Sequence, residues 1–161
     1  MLFLLFQLGR DRYALDATQV AAVLPLLDIK TIPQAPTGVV GAINYHGAPV
    51  PAIDLSELTL GRSASRRLST RIMLVQYADA EGVQHLLGLI AEKATETLRR
   101  EASEFRSSGV TNAEVPYLGP VLADARGLIQ WIAVEKLLST SVRDVLFKPE
   151  NREWQNGNQM K

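Results

Sequence analysis

Side chains that could do chemistry are few in this 161-residue chain. There is no cysteine, which excludes a thiolate nucleophile, a thiolate metal site and a disulfide framework together. The two histidines, His46 and His85, are too few for a multi-histidine metal centre. His46 stands shortly before Asp54 with serines nearby, and histidine, carboxylate and serine are the parts of an acyl-transfer triad. Their spacing answers to no mechanical requirement of a triad, and no G-x-S-x-G, Walker, G-x-G-x-x-G or H-E-x-x-H pattern occurs. His85, beside Leu86 and Leu87, reads as a half-buried structural histidine. Asp16 with Gln19, and Asp54 with Glu57, have capping-box spacing, so the expected work of both aspartates is to start a helical turn. The residues offer no catalytic, metal or cofactor site, and a protein of this kind acts through its surfaces.

The elements that must shape those surfaces are strands. Short apolar runs broken by glycine turns predict four hairpins: Phe3–Leu8 with Tyr13–Asp16, Val39–Asn44 with Val50–Asp54, Ile72–Tyr77 with His85–Ile90, and Leu118–Leu122 with Leu128–Ile132. They fall into an approximate internal repeat. In each half a hairpin leads through an acidic residue, Asp16 or Glu92, to a short strand, Val20–Leu24 or Thr95–Leu98, then a loop and a second hairpin. About five strands per half is the number a small closed barrel needs, and closure removes exposed sheet edges. The expected fold is therefore all-β, with a first barrel over about residues 1–60, a polar linker over 61–70, and a second barrel over 71–138. A last helix over 139–147 and a polar, flexible tail over 148–161 complete the single domain. Pro25–Thr37, with three prolines, reads as a stiff, partly buried crossover.

Composition narrows the partners. Seventeen Lys plus Arg balance seventeen Asp plus Glu, so no net field draws in a polyanion. Arg62, Arg66 and Arg67 in the linker read as a solvated segment or, alternatively, as a basic patch that would make the chain a small-barrel nucleic-acid module. Hydrophobic residues make up 47% of the chain, enough material for the roughly 68–70% surface burial expected at this size. The apolar start, Met1–Phe6, lacks a basic n-region and reads as a strand; no run approaches the ~18–20 residues of a membrane span, so a cytoplasmic protein is expected.

The ordered motifs resemble the CheW family, the coupling proteins of bacterial chemosensory arrays. They are Phe3-Leu-Leu-Phe-Gln-Leu-Gly9, Tyr13-Ala-Leu-Asp16, Ile32-Pro33, Ala35-Pro36, Gly41-Ala-Ile-Asn-Tyr-His-Gly47, Val50-Pro-Ala-Ile-Asp-Leu55, Leu87-Gly-Leu-Ile-Ala-Glu92 and Gly127-Leu-Ile-Gln-Trp-Ile-Ala-Val-Glu-Lys-Leu-Leu138. The resemblance implies two intertwined five-stranded SH3-like barrels and a non-catalytic cytoplasmic adaptor without cofactors. It would be recruited to membrane-bound arrays and would bridge chemoreceptor tip helices, a CheA-type histidine kinase regulatory domain and other CheW-like proteins. Val20, Val23, Gly41, Ile43, Leu87 and Gly88 match the family's receptor-facing strands, with core packing as the alternative for the four apolar side chains and close backbone approach for the two glycines. Asn44, His46, Val50 and Ile53 are the expected kinase-facing residues. Many members carry N-L-R-G where this chain has Asn44-Tyr-His-Gly47. A histidine thus replaces a permanently charged arginine, and Ala21 and Ala22 stand where an acidic residue is frequent. Both departures point to an alternative, surface-behaviour type of pathway.

Overall fold

The longest apolar runs bury both of their faces. In the computed structural model, which describes residues 1–110 and 112–147, strand β1 (Leu2–Leu8) turns Phe3 and Leu5 into one apolar cluster and Leu4, Phe6 and Leu8 into another. Further along the chain, Ile72 and Leu74 enter a third cluster while Met73, Val75 and Tyr77 join Leu4 and Phe6. Alternate side chains of a strand point to opposite faces, so a strand packed on both sides reads as one continuous apolar run. Two clusters fill the interiors of two small barrels, and the largest lies between them.

All four predicted hairpins form: β1 with β2 (Asp11–Asp16), β5 (Val39–Tyr45) with β6 (Ala48–Asp54), β7 (Arg71–Ala78) with β8 (Gln84–Arg99), and β9 (Leu118–Asp124) with β10 (Gly127–Ile132). Strand β3 (Val20–Pro25) pairs with β7, and the two-residue β4 (Lys30–Thr31) pairs with β5. The expected separate strand Thr95–Leu98 is instead the second half of the 16-residue β8. Lys93 takes a positive φ of 49° in mid-strand, and the β1–β8 register shifts beside it, so one strand serves both barrels.

The division at residues 61–70 is a connection in sequence and not a border between barrels. One sheet runs β9-β10-β2-β1 and on to the far half of β8; the other runs β4-β5-β6, the near half of β8, β7 and β3. Each barrel therefore draws strands from both halves of the chain, knitted by the parallel pairs β2–β10 and β6–β8. The fold is all-β, two intertwined SH3-like barrels with short helices, as expected. The tail over 148–161 lies outside the described residues.

Both aspartate caps are present. Asp16 accepts from Thr18 N at 3.0 Å and opens a single helical turn. Asp54, buried, accepts from Ser56 N at 2.9 Å and Glu57 N at 3.2 Å to start α1 (Leu55–Leu60), while its other oxygen accepts from Ala64 N at 2.9 Å. Helix α2 (Thr140–Leu146) is capped by Ser139, whose hydroxyl accepts from Val142 N at 3.3 Å.

A forked ion pair closes the first sheet. The Arg12 guanidinium on β2 donates to both carboxylate oxygens of Asp124, at the end of β9, and holds the Asp124 pKa down at about 2. A depressed folded-state pKa adds stability that is complete above the unfolded value and is lost as pH falls through the folded one. Acid titration should therefore show a loss of stability between about pH 4 and pH 2, and Asp124→Asn should remove that limb. Denaturant midpoints across pH 2–5 measure it; identical acid limbs in the two proteins would contradict the assignment.

Candidate functional site: an apolar groove beside the β5–β6 hairpin

Two prolines in one strand mark the site. Pro49 and Pro51 alternate in β6, so their rings share a face, opposite Asn44 and Ala42 on β5. Proline has no N–H to give a ladder, and the parallel β6–β8 pairing is confined to Ala52–Asp54, beyond both rings. The outer face of the hairpin is thus a floor of rings and a small methyl.

Walls rise from two distant parts of the chain. The crossover contributes Ile32, Pro33, Ala35 and Pro36, and α2 contributes Val145 and Leu146. Together with Val39 they enclose a groove of about 430 Å³ whose one polar lining side chain is Gln34. Ile32 and Val145 are 43% and 50% exposed, a large apolar exposure for side chains of this type. Prolines fix much of the lining before anything binds, which lowers the ordering cost of docking. Among the described residues no charged side chain lines the groove, a lining that suits an apolar helical face.

The hairpin tip is built differently. His46 and Gly47 form a two-residue turn with φ of 51° and 85°, the pair of positive angles a type I′ turn needs. Asn44 Oδ1 accepts from Gly47 N at 2.8 Å, and the His46 ring stands edge-on to Tyr45 at 4.3 Å. Both Asn44 and His46 are exposed. His46 and Asp54 sit at opposite ends of the hairpin, roughly 20 Å apart at a rise of about 3.3 Å per strand residue. All the oxygens of Asp54 serve backbone amides of α1 and the connector, so the triad reading is excluded.

The expected contact residues divide by burial. Val23 is 39% exposed on edge strand β3, and Val20 is half-buried against the central cluster. Ile43 and Val50 lie inside one barrel and Ile53 and Leu87 between the barrels, all buried, so none of the four offers a surface in this structure. Core packing is their role. Gly41 and Gly88 are backbone requirements: a Cβ on Gly41 would stand 2.0 Å from Lys30 O, and one on Gly88 3.2 Å from Ile72 Cγ2. The groove floor and walls were missed, although prolines inside a strand and a Pro-rich crossover were a readable signal. Arg62, Arg66 and Arg67 are exposed on the connector with Leu68, which is 99% exposed, between them and Ser69.

Among the described residues, no three His, Asp or Glu gather as a metal site, and no helix is long and apolar enough to cross a membrane. A CheW-like domain model matches residues 2–142. A chemotaxis protein CheW from Klebsiella aerogenes is 26% identical over 141 residues, covering 86% of this chain and 81% of that one. The crystal structure of a scaffolding protein, TtCheW from Thermoanaerobacter tengcongensis, superposes with a TM-score of 0.76 at 22% identity, over 88% of this chain and 89% of the other. With strands, turns and sequence in register over nearly its whole length, the chain belongs to the CheW-like domain family.

Proposed function

We propose that this protein is a non-catalytic adaptor that couples a methyl-accepting chemoreceptor to a CheA-type histidine kinase, in the cytoplasm, at a membrane-bound receptor array. The observation that carries the reading is the pre-formed, uncharged apolar groove beside β5–β6, a shape for laying in an amphipathic receptor-tip helix. Val23, with Val20 below it, extends the apolar surface on β3. The exposed turn Asn44–Gly47 is the kinase-facing element, and other CheW-like proteins can use the same turn. His46 at its tip, where an arginine is common in the family, supports a pathway of the alternative, surface-behaviour type.

Pulldown of a receptor-tip helical hairpin and a kinase regulatory domain from the same genome tests the reading. Both should be retained by the purified protein, and failure to retain either would end it. Val23→Lys should weaken the hairpin while leaving kinase binding and the melting temperature unchanged, because the side chain is already exposed. Loss of both partners at once would remove Val23 from the receptor face.

A further inference from the structure

The helix wall of the groove ends on Phe147, and Phe147 rests on a buried polar pair that barrel packing does not require. Its ring stacks on the His85 imidazole with centroids 4.3 Å apart and planes at 20°, and on Tyr77 at 5.6 Å and 22°. His85 Nε2 lies 2.8 Å from Asp79 Oδ2, both side chains being 4% exposed. Asp79 is fixed in turn by the β7–β8 connection: its Oδ1 accepts from Glu81 N at 2.9 Å and Val83 N at 3.0 Å. Contacts therefore run unbroken from a tight turn through Asp79, His85 and Phe147 to Leu146 and Val145, which line the groove.

A buried polar pair costs desolvation, and an apolar pair of equal volume is often as stable or more so. What an apolar side chain cannot give is a fixed ring plane. The hydrogen bond to Asp79 sets the orientation of the imidazole, and stacking on Phe147 depends on that orientation. Arg143 on α2 also reaches toward Tyr77 on β7, where it opposes the upward pull of burial on the phenol pKa, but it does not fix the plane of the His85 ring.

We propose that Asp79 and His85 are positioning residues that set where the α2 wall of the groove stands, and thereby how well the groove accepts a helix. The inference rests on the docking reading of the groove. Two variants separate the ring from the hydrogen bond. His85→Gln keeps a donor for Asp79 but removes the ring. Asp79→Asn keeps an acceptor for the turn and a hydrogen-bonding group beside the imidazole, and so keeps the ring plane.

The probes are the receptor-tip helical hairpin and the kinase regulatory domain, titrated calorimetrically against the full chain, together with amide exchange across residues 140–147. His85→Gln should bind the hairpin roughly three- to tenfold more weakly, with kinase affinity unchanged, faster exchange in α2 and a modestly lowered denaturant midpoint, since the lost stack is a contact within the fold. Asp79→Asn should match the wild type within about twofold in each measurement, since one hydrogen bond replaces another. Phe147→Leu, which removes the ring but fills most of its volume, should reproduce the weaker hairpin binding and faster α2 exchange from the other side of the stack, which keeps the test open if His85→Gln fails to fold. Unchanged hairpin affinity and α2 exchange in the ring-removing variants would overturn the proposal, as would an equal loss of kinase binding. If the wild type binds no hairpin, the docking reading falls, and α2 exchange in the variants alone decides whether the seat positions the helix.

Discussion

Replacing Gly41 with alanine should cost about 3 kcal/mol or more and lower the melting temperature by roughly 6–12 °C. Gly41 has φ of 154°, and a Cβ there would lie 2.0 Å from Lys30 O and 2.8 Å from Lys30 C. Both atoms are backbone, so no side-chain rotation relieves the clash. The strand must instead part from β4, whose pairing consists of Lys30 opposite Ala42 and Thr31 opposite Gly41. Ile32 and Pro33 follow directly and form a wall of the groove, so hairpin binding should fall with stability. Gly47→Ala is the control. Its Cβ would meet nothing within 4 Å, leaving only the cost of a positive φ, about 1 kcal/mol. Differential scanning calorimetry of the two variants settles the matter, and a Gly41→Ala protein melting within 2 °C of the wild type would contradict the steric account.

The largest effect on binding should come from Val145→Glu. Val145 is half exposed on α2 and faces the groove, so a carboxylate there remains hydrated in the free protein and leaves the fold intact. In a complex the same carboxylate would be buried against prolines and an apolar helix, with no cation among the described lining residues. Burying it unpaired should reduce hairpin affinity about a hundredfold. Kinase binding, proposed for the Asn44–Gly47 turn, should survive. Titration of both partners against the variant distinguishes a groove-specific loss from a general one. Hairpin affinity within threefold of the wild type would move the docking site away from α2.

What could be read from sequence followed local rules. Hairpins were legible because glycines such as Gly9, Gly47, Gly82 and Gly127 sit between alternating or apolar runs, and all four take positive φ. Asp16 and Asp54 were legible as caps because an aspartate at that position satisfies amides only two or three residues ahead. The exchange of strands between barrels was not, because the parallel pairs β2–β10 and β6–β8 join residues far apart in sequence. Val50 and Ile53 were placed on a contact face, and Ile43 and Leu87 were left between contact and core, for a related reason. The outer face of β5–β6 carries Ala42, Pro49 and Pro51 in place of polar side chains, and β8 around Leu87 is apolar on both faces, so no polar alternation shows which positions meet solvent, and family position assigned them to contacts. The groove escaped because it is assembled from three segments, and only Pro49 and Pro51 broke a local rule. His85 was read correctly as structural, yet neither its bond to Asp79 nor its stack on Phe147 could be foreseen without the turn that brings them together.

In the proposed function, one small protein holds a receptor helix and a kinase domain at the same time through separate surfaces. Light scattering coupled to size-exclusion chromatography, on the full chain mixed with the receptor-tip hairpin and the kinase regulatory domain, tests it most directly. The groove and the hairpin turn, as distinct sites, predict one peak whose mass corresponds to all three components. Two binary complexes that displace each other, or no complex with either partner, would contradict it.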